Sequence, residues 1–393
     1  MIRAKELIDN LTEWQEMCKL RNVEDVSGLI VEDYNRKKHL QLEYEQFAQR
    51  LKLLENNSPE YKEISLKKKN VEKEKKDVEA RLEQLLLLQP NWLSKKVPPG
   101  VSVADDVEVK HSGECLEKDF CHENARGYDR ETAIKISGTR TTLFRGNLAR
   151  LEWALTQWLM NLHMSAGFEY LSVPSLVKAD TMRNAGKFPK FLDDAFSVDD
   201  YSLIPTGEVP LVCTVNKVSE RHKMMTFTQC FRKEAGAAGK DAQGWVRVHQ
   251  FPKVELVTLA AEEDAESSFE ELCDRVELVV TSLGLTWRKM RVCSGEIGAG
   301  AYDQIDFEVW LAGQRRWLEV ASVSDCRTYQ SERMHLKTTD GKLAYTLNAT
   351  GGVPGRLMAA VLEQHHQTGT NIAIPQPLRM YLDGAAELVC KNL

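Results

Sequence analysis

This chain has no Cys-x-x-Cys pair, no Gly-x-Gly-x-x-Gly turn, and no apolar run near the ~20 residues a membrane-crossing helix needs. Its nine cysteines are scattered, which fits free thiols in a reducing compartment and argues against a disulfide scaffold. Cys115, Cys121 and His122 lie close together, but their gap is not a zinc spacing, so no metal is expected there. Basic excess is also missing. The net charge is −6, so any contact with nucleic acid must be local. Gly236-Ala237-Ala238-Gly239-Lys240-Asp241 imitates a phosphate loop, yet its glycines are too close and no Ser or Thr follows the Lys. A nucleotide would therefore be held by side chains on a sheet. The first ten residues mix Arg3 and Lys5 with Glu6 and Asp9, so no acid-poor transit peptide is visible.

At 393 residues and 42% hydrophobic, the chain can bury a large core and build more than one domain. Residues 1–20 read as one amphipathic helix through Ile2, Leu7, Leu11, Trp14, Met17 and Cys18. From 34 to 55, Leu40, Tyr44, Phe47, Leu51 and Leu54 repeat at the spacing of a coiled-coil seam. Ser58 and Pro59 supply an N-cap and a first helical residue, and a second helix runs to about Leu88. The pair predicts an antiparallel hairpin over about 34–88. Lys68 and Lys75 fall where its seam would want Leu. The run Lys67, Lys68, Lys69 reads from charge alone as a solvated face laced with acid–base pairs.

Val97-Pro98-Pro99-Gly100 reads as a linker, dividing a helical domain at 1–100 from a second domain at 101–393. There, strand-like runs at 170–173, 225–231, 245–249, 254–259, 305–311 and 317–321 interleave with helices near 142–166, 263–283 and 354–367. Hairpin-like neighbours predict a mostly antiparallel sheet and an α+β fold.

Four clusters suggest chemistry. Phe231-Arg232-Lys233-Glu234-Ala235-Gly236 and Arg247 to Glu255 read as two strands joined by a long loop from Ala235 to Gly244. Side chains two apart share a strand face, which groups Arg232 with Glu234, and Phe251 with Lys253 and Glu255. An Arg fork suits phosphate or carboxylate, an acid suits an amine, and Phe suits a flat ring. Thr206-Gly207-Glu208 forms a tight turn between apolar flanks. Glu319 and Ser322, at a strand end, offer oxygens suited to Mg²⁺. Asn348 to Arg356 is a Gly-rich turn opening a helix, with Arg356 at its start. Charges on apolar strands are seldom placed unless paired or used.

Taken together, these residues resemble the seryl-tRNA synthetases, class II aminoacyl-tRNA synthetases, of the ordinary type without zinc. The segment 231–255 resembles their motif 2, Asn348 to Arg356 motif 3, and Phe168 to Pro174 the end of motif 1, whose proline lies at a dimer interface. Thr206-Gly207-Glu208 is similar to their T-x-E serine loop, and Ala185-Gly186-Lys187-Phe188-Pro189 also fits. The resemblance implies an antiparallel catalytic sheet flanked by helices, with an N-terminal helical hairpin. It implies ATP and Mg²⁺ as cofactors, serine and tRNA-Ser as substrates, a homodimer and no membrane. Arg232, Glu319 and Arg356 would carry catalysis. Arg232, Lys233, Glu234, Val248, Phe251, Arg356 and the stretch Glu319, Val320, Ala321, Ser322 would bind ATP, with Mg²⁺ on Glu319 and Ser322. Thr206, Gly207, Glu208, Arg232, Glu255, Asn348 and Thr350 would surround serine, and Lys67, Lys68 and Lys69 would meet tRNA.

Some features depart from the family pattern. The hairpin and the segment 107–140 are short, Asp325 replaces a common Asn, and Pro252 a common Asp. Asn348-Ala349-Thr350 replaces Asn-Gly-Ser, as in animal mitochondrial members, whose tRNA-Ser lacks the long variable arm. That likeness implies a mitochondrial enzyme without its presequence. Two rival readings are an inactive relative that binds tRNA or a partner, and a ligase that charges a carrier protein. The first should have lost Arg232, Glu234, Glu255 or Arg356; the second should lack the hairpin.

Overall fold

Asn10 interrupts the first helix, leaving α1 (Ala4–Asp9) and α2 (Leu11–Leu20) where the apolar pattern predicts one continuous element. At φ −124° and ψ 39° it leaves helical geometry, and its side-chain amide donates to the Glu6 carbonyl at 2.9 Å. The apolar stripe survives the break, since Leu7, Trp14, Met17 and Cys18 are all buried. This is a computed structural model, which describes residues 1–235, 244–367 and 371–389. The chain divides into two units, Met1–Trp92 and Leu93–Leu393.

The first unit is built on α3 (Ser27–Leu51) and α4 (Pro59–Leu88). Ser58 caps α4 by accepting the Tyr61 N–H at 3.1 Å, with Pro59 at the first helical position. Helix α3 begins earlier than the heptad pattern suggested, because Ile30 and Asp33 extend the buried seam. Cross-pairs Asp33–Arg81, Arg36–Glu74 and Arg50–Glu60 fix the antiparallel direction. Lys68 and Lys75 solve their awkward positions by lying over the Tyr44 ring, 4.7 and 5.9 Å from its centroid. Tyr44, Phe47, Leu51 and Leu54 are only half-buried, so the seam is shallow towards the tip.

In the second unit eight strands form one sheet: β1 (Val107–Ser112), β2 (Glu169–Tyr170), β3 (His222–Phe231), β4 (Gln250–Ala260), β5 (Trp287–Arg291), β6 (Asp303–Leu311), β7 (Arg316–Asp325) and β8 (Tyr345–Gly352). Their order is β1-β5-β6-β7-β8-β4-β3-β2, antiparallel except for the β2–β3 edge. Helices α5 (Gly146–Met164), α6 (Ala265–Ser282) and α7 (Pro354–His365) pack on this sheet and share its core. Strand β6 shows why the two faces differ. Ile305, Phe307, Val309 and Leu311 are buried, while Gln304, Asp306 and Glu308 alternate outward.

The α+β expectation holds, with local corrections. Residues 245–249 are not a strand. Trp245 instead packs edge-on against His122, Tyr128 and Phe144 at 4.7, 4.9 and 5.1 Å between centroids. Within 170–173 only Tyr170 is strand. The expected long loop from Ala235 to Gly244 falls on 236–243, outside the described residues. The Asn348 to Arg356 stretch, expected as a Gly-rich turn because Asn and Gly disfavour strands, is strand β8 as far as Gly352. No described helix is long and apolar enough to cross a membrane.

Candidate active site

Strand β3 ends at Phe231, so Arg232 and Glu234 lie just beyond it and do not alternate along it. Glu234 adopts φ 55°, which turns the chain. Its carboxylate meets Arg247 at 2.6 Å, so the expected pairing of Arg232 and Glu234 on one strand face gives way to a Glu234–Arg247 ion pair. The Arg232 guanidinium sits 5.2 Å from the Phe251 ring centroid, and its Nε donates to the Pro205 carbonyl at 3.2 Å. Lys233 is exposed and ties down its turn through its N–H, which donates to the Asp194 carbonyl. Arg356 enters from the first turn of α7. Its Nε donates to the Val246 carbonyl at 3.2 Å and its Nη1 to the Glu319 carbonyl at 2.7 Å. The Trp245 indole returns the link by donating to the Gly355 carbonyl at 2.9 Å. These bonds clasp the chain before β4 to the start of α7. Arg232, Phe251 and Arg356 thereby share one cleft.

Beside it a cavity of about 330 Å³ is lined by Lys187, Thr206, Arg232 and Arg247 among others. Thr206, Glu208 and Glu255 are at most 5% exposed, yet each is polar. Thr206 donates its hydroxyl to Glu255 Oε2 at 2.6 Å, and Lys253 reaches the same oxygen at 2.6 Å. Glu208 accepts from Lys187 at 2.7 Å, Gln330 at 2.6 Å and Asn348 at 3.2 Å. Burial pushes the Glu255 pKa up; Lys253 opposes the rise and Glu208 adds to it. For Lys187, burial lowers the pKa but Glu208 outweighs it, so the ammonium is kept charged. Gly207 permits the turn: a Cβ there would lie 2.6 Å from Thr226 Cγ2 and 3.0 Å from Glu255 Cβ. Thr350 stands opposite Glu255 in the β4–β8 register, and Asn348 two residues earlier shares its face. Lys187 stood only in the family-like segment 185–189 and Lys253 only on the strand face of Glu255, neither with a role, while Arg247 and Gln330 were not expected in the site.

Glu319 and Ser322 lie within β7, inside the strand and not at its end. Val320 and Ala321 between them put their side chains into the core, as does Val248. Asp306 faces Ser322 across the β6–β7 pair. Burial, and then the negative charge of Glu319, push the Asp306 pKa upward. The Asp306 and Glu319 carboxylates with the Ser322 hydroxyl make a hard-oxygen donor set, which fits Mg²⁺. Asp325 accepts the Arg327 N–H at 2.8 Å and pairs with its Nε at 3.0 Å, a role within the turn after β7.

Next to Trp245, in the wall of this cleft, the fold gathers Cys121, His122 and Glu363 with ligand atoms within 4.8 Å. Glu363 is already engaged. One oxygen accepts His122 Nδ1 at 2.6 Å and the His122 N–H at 3.1 Å; the other accepts the N–H groups of Gly313 and Gln314 at 2.7 and 3.3 Å. The cluster staples chain segments together.

Residues 191–365 match the tRNA synthetase class II core domain (G, H, P, S and T). An antiparallel sheet bearing Arg232 after β3 and Arg356 on α7 is thus a class II synthetase core. The serine–tRNA ligase of Xanthomonas euvesicatoria pv. vesicatoria (strain 85-10) is 39% identical over 329 residues, 78% of this chain and 77% of that one. That of Campylobacter hominis is 33% identical over 417 residues, 97% of this chain and 100% of that one. The seryl-tRNA synthetase of Pyrococcus horikoshii, solved with ATP, superposes with a TM-score of 0.89 at 25% identity, covering 99% of each chain. The chain belongs to the serine–tRNA ligase family.

Proposed function

We infer that this chain is an ATP-dependent ligase that joins serine to tRNA-Ser through seryl-adenylate. The observation that carries the reading is the Arg232 guanidinium over Phe251, at the mouth of the buried Thr206–Glu208–Glu255 network. In the first step a serine carboxylate oxygen attacks the α-phosphorus of ATP and pyrophosphate leaves. In the second a terminal ribose hydroxyl of the tRNA attacks the seryl carbonyl carbon, and AMP leaves. No covalent enzyme intermediate is needed; the protein supplies positioning and electrostatics.

Arg232 spans the serine carboxylate and the α-phosphate and stabilises the charge that builds at phosphorus. The adenine lies between Phe251 and Arg356, beside the main chain at Val248, while Lys233 serves through the turn that it ties down. Glu234 keeps Arg247 on one oxygen and offers the other to the adenine amine. Glu255 uses one oxygen for Thr206 and Lys253, which leaves the other for the serine ammonium. Glu208, already holding Lys187, Gln330 and Asn348, acts as their anchor. Gly207 and Thr350 complete the wall around the hydroxyl. Such a site rejects alanine because its buried polar groups would go unpaired. Mg²⁺ on Glu319 and Ser322, beside the main chain of Val320 and Ala321, would neutralise charge on the phosphates.

The lysines of α4 are proposed to contact tRNA, though not equally. Lys67 pairs with Glu63 at 2.6 Å and Lys68 covers Tyr44, so Lys69 is the readiest of the three. A homodimer is supported by apolar side chains left exposed on the motif 1 segment and just after it, Tyr170 and Leu176, and by Tyr201 on the strand paired with the latter. Mitochondrial location and a coiled-coil arm suited to a short tRNA-Ser complete the proposal.

Serine-dependent exchange of pyrophosphate into ATP, followed by charging of tRNA-Ser, tests the reading. Both activities are expected. Exchange without charging would favour a carrier-protein ligase, and neither would favour an inactive tRNA-binding or partner subunit.

A further inference from the structure

The β4–β8 ladder pairs Ala260 with Tyr345 and runs in step to Glu255 with Thr350, then slips so that Val254 faces Gly352. Gly351 is left without a partner across the ladder. A bulge of this kind frees one residue's backbone groups and re-aims the side chain beside it. Here that neighbour is Thr350. The freed Gly351 carbonyl is not abandoned, because it accepts from His163 Nε2 at 2.9 Å. His163 is wholly buried near the end of α5, an element packed on the sheet.

A carbonyl can only accept, so Nε2 carries the hydrogen and Nδ1 is bare. Nδ1 is buried with no partner among the described residues. Burial drives the ring's pKa down to about 4, which keeps it neutral and holds that tautomer near neutral pH. The fit is tight from the other side too. A Cβ on Gly351 would lie 3.0 Å from His163 Nε2 and 3.1 Å from both Leu256 Cγ and Val254 Cγ1.

We propose that His163 is a positioning residue for serine recognition, its Nε2–H pinning the Gly351 carbonyl so that the β8 bulge holds Thr350 opposite Glu255. The inference rests on the serine site described above. It makes α5 a part of the recognition apparatus although His163 does not touch substrate.

The test measures serine KM, ATP KM and kcat in pyrophosphate exchange, with melting temperature, for His163→Leu, His163→Gln, Gly351→Ala and Thr350→Ala. His163→Leu is expected to raise serine KM about ten-fold and leave ATP KM within about two-fold, the pattern of misplaced substrate contacts. His163→Gln, whose amide nitrogen can occupy the same place, should restore most of the serine KM. Gly351→Ala should reproduce the selective loss, and combining it with His163→Leu should add little, since both release one pin. If His163→Leu lowers only the melting temperature while Thr350→Ala raises serine KM, the pin is overturned and the serine site stands. If neither moves serine KM, the serine site itself is misassigned. Should His163→Leu fail to fold, an unchanged serine KM in Gly351→Ala overturns the pin alone.

Discussion

On the α3–α4 hairpin Arg36 and Glu74 pair with side chains 42% and 48% exposed, whereas on β4 Lys253 and Glu255 pair at 8% and 1%. The residue types are nearly interchangeable, and the physics is not. An exposed pair is screened by water and contributes about 0–1 kcal/mol. A buried pair gives up hydration on both partners and survives only if further hydrogen bonds satisfy them, as Thr206 does here. Breaking it strands a charge. The hairpin therefore carries charge as an adjustable surface, and the sheet carries it as fixed machinery.

The largest expected effect breaks the buried side of that contrast. Lys253→Met should lower unfolding free energy by about 3–5 kcal/mol, read by denaturant titration, because it leaves Glu255 buried without its cation. A loss no larger than a surface substitution would erase the distinction. Next comes pH. His163 has a folded pKa of about 4 against an ordinary 6.5, so the unfolded chain binds the proton first as pH falls. Its contribution is complete above about pH 6.5, drains away towards pH 4, and amounts to roughly 3 kcal/mol. Replacing it with Gln should flatten the stability profile over that window.

Smaller again is the clasp between the two halves of the cleft proposed to hold ATP. Trp245→Phe keeps the aromatic cluster but loses the donor to Gly355. ATP KM should rise about five-fold with serine KM unchanged, in line with one net hydrogen bond. The least effect on folding belongs to the exposed side. Changing Lys67, Lys68 and Lys69 together to Ala should move the melting temperature by no more than about 2 °C. It should nevertheless weaken tRNA binding and flatten its salt dependence. Unchanged tRNA affinity would return the run to a solvated face.

What could be read from the residues alone follows the same division. The hairpin was legible because heptads, a Ser-Pro start and acid–base pairs are local signals, although the Asn10 break was not among them. Strands with apolar alternation were found, but β8 hid behind Asn348, Gly351 and Gly352, whose presence makes sense only once the bulge is seen. Residues 245–249 looked like a strand because Trp245, Val246 and Val248 are apolar, and burial in an aromatic cluster left the same trace. In the site, Arg232, Glu255, Phe251 and Arg356 announced themselves through charge and aromaticity placed on apolar segments. Lys187 showed only through the family-like segment 185–189, whereas Gln330 reaches Glu208 from a remote segment and Asp306 meets Ser322 only through cross-strand register. Such partners are created by topology and leave no local pattern.

In the proposed mechanism nucleotide and serine meet at the Arg232 guanidinium. Its most direct test is serine-dependent pyrophosphate exchange by Arg232→Ala, with circular dichroism and melting temperature as controls. Exchange should fall about 10³-fold in a protein that is still folded, the scale of losing a donor aimed at developing charge. Exchange at the unmodified rate would contradict it.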